Sequence, residues 1–306
     1  MNRKSDVPIS SVRAMVLFGA AALASAGLGG CDWIQDRFKA RAPEVKFAPY
    51  AENYGSKTDF AQVEAQFPLS TAELARITPE NLAGLDQEQI DQIYARLTAG
   101  PIPDGPYDGG ILLPRGMSGK FRVAEIAGGF AQYVLQLKGL QVEQFGEMLW
   151  KGKVFYRDER VLRNRIEDLA ILKQTGLVEG EPKKLAVDGR ETWLLFPAKL
   201  YCGQSLLDAR RESVIIDYFF TDEIPGYQEK PDYLAGRRGL RVRDEIRMVR
   251  PGFYLGRAYL DRVFLLNFTL YNKSVAERDG DAYVKTGRVN EDCWTGTQQR
   301  VTQAAK

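Results

Sequence analysis

The 306-residue chain contains no histidine, and that absence removes several chemistries at once. Ser-His-Asp and Cys-His nucleophilic catalysis, zinc hydrolases with histidine ligands and histidine-held haem all need an imidazole. Gly-x-Ser-x-Gly is also missing, which removes the nucleophile elbow of the α/β-hydrolases. Gly116-Met117-Ser118-Gly119-Lys120 approaches a phosphate loop, but Pro114 stands where the first glycine belongs and Phe121 where Ser or Thr belongs. Asp279-Gly280-Asp281 lacks the further acids of a calcium loop. No motif asks for a cofactor or a metal. An excess of charge of one sign is lacking too, with 42 Lys and Arg against 40 Asp and Glu. Without a basic field there is no counterion release to drive nucleic-acid binding, so none is expected. Long hydrophobic runs are absent: the longest apolar stretch, residues 14–28, falls short of the roughly twenty residues of a membrane-spanning helix.

That stretch has another use. Arg3, Lys4 and Arg13 precede it, it is rich in Ala and Gly, and it ends in small residues, the order of a secretory signal. Leu28-Gly29-Gly30-Cys31 then resembles the lipobox of bacterial lipoproteins. The resemblance implies diacylglyceryl transfer to the Cys31 sulfur, cleavage before Cys31 and acylation of the new amino end. It further implies an envelope protein tied to the membrane through the lipid on Cys31, at the periplasmic face. Asp32 follows the cysteine, which in enterobacterial lipoproteins favours retention on the inner membrane. The alternative is a plain export signal with a chance cysteine. Removal of residues 1–30 leaves equal numbers of acids and bases.

With Cys31 lipidated, Cys202 and Cys293 remain. In an oxidising compartment they are free to form a disulfide, the alternative being two buried, unpaired small hydrophobes.

Residues 31–67 mix charges, glycines and isolated aromatics, with Pro43 and Pro49 as breakers, and read as a tether. Residues 68–100 read as a helical region. Ser70-Thr71-Ala72-Glu73 fits a capping box, Thr78-Pro79 an N-cap followed by proline, and Asp86 caps a third helix. Leu85, Ile90, Ile93, Tyr94 and Leu97 share one face of that helix, which Gly100-Pro101 ends. The turn cluster 101–110 opens the main region, 101–306. Val123, Ile126, Ala127, Phe130, Val134 and Leu137 recur at helical spacing. The period then changes to two over Met148 to Tyr156, with Lys151, Lys153 and Phe155 on the opposite phase to Trp150 and Val154.

Residues 157–173 are ambiguous. Val187-Asp188-Gly189-Arg190 marks a hairpin into a strand at 192–196. Further strands are expected at 213–220, 240–249, 253–260 and 263–271, with a closing strand at 282–289. The expected fold class is α+β: an antiparallel sheet curled or closed into a barrel, with a small helical amino-terminal region and one or two packing helices.

Several of these strands are apolar on both faces, which a sheet open to water on one side does not require. Asp217, Asp244, Arg257 and Asn267 interrupt apolar alternations. In one reading they line the interior of a barrel and meet the head group of a lipid-like ligand. In the other, Asp244 and Arg257 neutralise each other inside a packed core. A slip of one residue in register would reverse the faces. Arg237, Arg238, Arg241, Arg243, Arg247 and Arg250 read as the exposed face and ends of a strand, with lipid phosphates as the alternative contact.

Gly105-Pro106-Tyr107-Asp108-Gly109 resembles the Gly-x-Trp-x-Gly motif of small bacterial β-barrel modules and, more distantly, the Gly-x-Trp of lipocalins, with Tyr107 in place of tryptophan. The resemblance implies a calycin-like lipid-binding barrel with Tyr107 plugging one end, and it assigns no catalytic residue. Three functions follow. The first is a tethered protein that binds or transfers a lipid-like molecule, the second a scaffold or assembly lipoprotein that binds a protein partner. The third is a histidine-free enzyme using paired carboxylates, for which Asp217 and Asp244 are the nominees.

Overall fold

The computed structural model describes residues 43–49, 58–112, 150–174, 180–187 and 189–296, together with 176 and 178. Cys31, the helix expected over 123–137 and the phosphate-loop-like segment 116–120 lie outside the described residues.

Nine strands are described: β1 (Gly105–Leu112), β2 (Trp150–Tyr156), β3 (Val161–Ile166), β4 (Lys184–Val187), β5 (Arg190–Gln204), β6 (Glu212–Asp217), β7 (Val242–Arg250), β8 (Phe253–Leu260) and β9 (Val263–Tyr271). All pairings are antiparallel, in the order β3-β2-β1-β9-β8-β7-β6-β5-β4, and β3 also pairs with β5. That last pairing closes eight strands into a barrel. Trp193 of β5 faces Ile166 of β3 on one side and Lys184 of β4 on the other, while Lys199 faces Val161 and Asp217. The strand β4 therefore continues the line of β6 along β5 and stands outside the closed ring.

Side chains of alternate residues fill the barrel, as strand periodicity requires. Val214, Ile216, Ile246, Met248, Tyr254, Phe268 and Leu270 belong to one core cluster, and each is at most 4% exposed. Close packing depends on small residues opposite large ones. A Cβ on Gly256 would meet the Phe268 ring at 2.3 Å, and one on Gly109 would meet the Trp150 ring at 2.4 Å. The segment 98–102 crosses the end of the barrel where β1 begins. There Ala99 and Ile102 join the core, Thr98 O accepts from Met248 N at 2.9 Å, and Tyr254 Oη donates to Pro101 O at 2.6 Å.

Helix α1 (Phe60–Gln66), capped by Asp59, lies in the segment read as a tether, whereas α2 (Thr71–Leu74), α3 (Pro79–Ala83) and α4 (Gln87–Arg96) follow the caps expected of them. Ser70, Thr78 and Asp86 each close a capping box with the residue three positions on. Ile77, Leu82, Ile90, Ile93, Tyr94 and Leu97 pack against Leu112, Val249, Phe253 and Leu255 on the outside of the barrel. Full burial of one such aliphatic side chain stabilises by about 1.5–3 kcal/mol, so this layer is a second core. Packed structure starts earlier than residue 68: Val45 and Phe47 rest on the same core, and Gln92 exchanges hydrogen bonds with the backbone of Ala48.

Short helices α5 (Ala170–Gln174) and α6 (Glu229–Asp232), a 3-10 turn at Thr221–Glu223 and a longer α7 (Lys273–Thr286) complete the described elements. The closing strand expected at 282–289 is not there, because α7 occupies most of it. Asn272 caps α7 by accepting from Val275 N, and Gly287, at φ 64°, ends it in the left-handed conformation. Among the described residues no helix is long and apolar enough to cross a membrane.

Candidate functional site

The polar centre of the barrel is Lys153, on β2. Its ammonium lies 2.9 Å from Asp244 Oδ2, 2.9 Å from Asn164 Oδ1 and 2.6 Å from Tyr218 Oη. Three donors meet three acceptors, so the group is satisfied without water. The rings of Trp150, Tyr218 and Phe268 surround it at 5.3, 5.3 and 5.4 Å, within cation–π range. Asn164 is bonded on both sides of its amide: Oδ1 accepts from Trp150 Nε1, and Nδ2 donates to Phe196 O and Tyr218 Oη.

Burial pulls the Lys153 pKa down, but the Asp244 charge and the bond to Tyr218 outweigh it and hold the pKa above the ordinary lysine value. Lys153 is therefore an ammonium at neutral pH, with no lone pair to act as nucleophile or base. Burial also pushes Tyr218 up to about 12, against the pull of Lys153. The cluster thus neutralises itself.

Sequence reasoning misread this lysine. The alternation starting at Trp150 placed Lys153 on the wet phase, but a register shift between Trp150 and Gly152 turns Lys153 and Phe155 inward. Gly152, a lone glycine inside a strand pattern, was the available signal.

Of the expected ligand residues, Asp244 and Tyr107 do line the barrel. Tyr107 stands opposite Lys153 in the β1–β2 ladder and meets Phe155 and Tyr254 edge-on, at 5.5 and 5.8 Å. The other three lie elsewhere. Asp244 faces Ala258 and Arg257 faces Glu245, so Asp244 and Arg257 occupy opposite faces of the sheet and do not pair. Arg257 lies outside the barrel under α4, bonded to Asp91 and, at 2.9 Å, to Tyr259 Oη, with the Phe264 ring 4.2 Å from its guanidinium carbon. Asn267, opposite Arg257, donates to Gln87 Oε1 at 2.8 Å. Asp217 accepts from Tyr201 Oη at 2.6 Å near the surface. Because Asp217 faces Arg243 while Asp244 faces Ile216, the two carboxylates also point to opposite sides and form no catalytic pair.

The basic run needs a correction at Arg247, which is fully buried rather than exposed. Its guanidinium donates to Ser213 Oγ, Tyr94 O, Asp208 O and Arg211 O at 2.9–3.1 Å. It ties α4 to β6 and to the loop between β5 and β6. Cys202 and Cys293 are joined as a disulfide.

Outside the barrel an open groove of about 800 Å³ is lined by Glu64, Thr98, Arg210, Arg211, Trp294 and Gly296. Glu64 accepts from Arg210 at 2.7 Å and from Arg211 at 2.5 Å, and Trp294 is 46% exposed.

No family model matches the chain, and no curated protein matches it. Among solved structures the chain is similar to a protein from Thermomonospora curvata, with 17% identity and a TM-score of 0.31, over 62% of this chain and 89% of that one.

Proposed function

We propose that the chain is a lipid-anchored envelope protein whose barrel is a solid scaffold, and that it binds a protein partner through its outer surface. The observation that carries this reading is the Lys153 cluster. A lipid-like ligand inside the barrel would have to displace an ammonium that already has three acceptors, among side chains at most a few per cent exposed. Uncovering an ion pair of this kind costs several kcal/mol, and the tail of a ligand would also have to displace the buried rings of Tyr218 and Phe268 beside it. The anchor rests on Leu28-Gly29-Gly30-Cys31. The groove beside Trp294 is the partner surface we favour, since an exposed tryptophan next to arginine is the composition of binding hot spots.

Native mass spectrometry of the purified protein tests both halves. The expected mass is the chain from Cys31 onward plus acyl groups, with nothing else retained. A stoichiometric, non-covalent amphiphile would overturn the scaffold and restore the carrier. An unacylated residue 31 would remove the anchor. A photoreactive residue at position 294 is expected to give one discrete adduct in intact envelopes, and the same probe at the exposed Val284 none.

A further inference from the structure

Cys202, Glu212 and Cys293 bring two sulfurs and a carboxylate oxygen within 4.8 Å of one another. In the structure the sulfurs are bonded, yet the grouping does not depend on that bond. Cys202 and Glu212 sit on paired strands, where Cys202 faces Val214 and Gln204 faces Glu212. On the far side of Cys293, Glu212 N donates to Trp294 O at 3.0 Å, and Trp294 N to Glu212 Oε2 at 2.8 Å. On the near side, Glu291 accepts from Thr98 Oγ1 and Gly100 N, and Asp292 from Ile102 N at 2.7 Å. Cys293 is therefore clamped from both directions by bonds that reduction leaves intact.

We propose that reduction of this disulfide creates a site for one zinc-class divalent cation, held by the two thiolates and Glu212, with water in the fourth position. The chemistry balances. A dithiol reductant passes two electrons and two protons to the sulfurs and becomes a disulfide itself. Coordination of the cation then releases those two protons, since thiolate is the ligand form. Thiol–disulfide exchange in the other direction re-forms the bond and expels the cation. Two soft sulfurs with one hard oxygen suit zinc, and three protein ligands with one open position is the arrangement of a reactive rather than a closed site. Cys202 and Glu212 are half-buried and Cys293 is buried, so the grouping meets solvent at Cys202 and Glu212 rather than at Cys293. The hydrogen bond from Trp294 N orients the Glu212 carboxylate, as outer partners do for metal ligands.

The test uses the purified protein with Cys31 acylated or replaced by serine, in the oxidised and the phosphine-reduced forms. Titration with Zn2+ is expected to show one equivalent bound to the reduced form and none to the oxidised. Co2+ in its place is expected to give a thiolate-to-metal charge-transfer band. Cys202→Ser should abolish uptake, and Glu212→Gln should weaken it by at least about tenfold. Three results would overturn the proposal: a reduced protein that keeps its circular dichroism but takes up no zinc, unchanged affinity in Glu212→Gln, or loss of the fold on reduction.

Discussion

The two faces of the barrel wall hold buried charge in different ways. Inside, Lys153 is a point charge answered by three separate acceptors and ringed by aromatics. Outside, beneath α4, arginines do the work: Arg247 forks across four oxygens from three segments, and Arg257 spans Asp91 and Tyr259 against the Phe264 ring. A flexible ammonium suits an enclosed site where acceptors converge. A planar fork suits a seam between layers, because it reaches groups on both sides. Both faces of these strands are buried, one by the barrel and one by helices; inside, the Lys153 ammonium has all its partners, whereas outside Glu245 Oε2 and Asn267 Oδ1 are buried without one.

The sharpest way to break the comparison is Lys153→Met, which leaves Asp244 buried without its partner. A loss of about 3–5 kcal/mol is expected, read by urea unfolding. The double change to Lys153→Met with Asp244→Leu should recover most of it.

Alkali provides a second probe of the interior. A lysine with a raised folded pKa contributes stability that is complete below the unfolded value of about 10.5 and is lost as pH rises through the folded value. Tyr218, raised from 10.0 to about 12, keeps its proton in the folded state while the unfolded chain ionises, so its effect has the same sign. Stability should therefore fall above about pH 10, with a shallower slope in the double variant.

On the outer face Arg257→Met should cost less, about 1.5–3 kcal/mol, since Asp91 is 17% exposed and water can reach it. A loss equal to that of Lys153→Met would erase the distinction between the faces. The smallest effect is expected for Tyr107→Leu. It gives up two edge-on ring contacts, worth about 1–2 kcal/mol together, and thermal unfolding would resolve it.

The same two-sided burial explains what the sequence could reveal. Strands at 253–260 and 263–271 were legible to the residue, because β-branched, aromatic and aliphatic runs end at the two-residue turns Pro251-Gly252 and Asp261-Arg262. The helix caps were legible too, since a capping box is a local bond with a local signature. Faces were not. An apolar strand face interrupted by Arg257 or Asn267 looks alike whether it lines a cavity or lies beneath a helix, and only the packing of Gln87 and Asp91 above it decides. The strand at 161–166 went unread because Arg163, Asn164 and Arg165 suppress its apolar character, although all three are buried. The helix at 273–286 was missed because Asp279-Gly280 mimics a turn inside it.

One seam of the barrel differs from the rest in the order of events it imposes. From β5 to β9 each strand pairs with its neighbour in the chain, and two-residue turns join β7 to β8 and β8 to β9, so that part of the wall can zip up locally. The β1–β9 seam joins Asp108 to Tyr271 across almost the whole domain. It repays its closure entropy only after the intervening strands are in place. Pulse-labelled hydrogen exchange during refolding is expected to protect β7 and β8 first and β1 last. The residues around Gly105, where the barrel-module resemblance lies, would then be the last to find their partners.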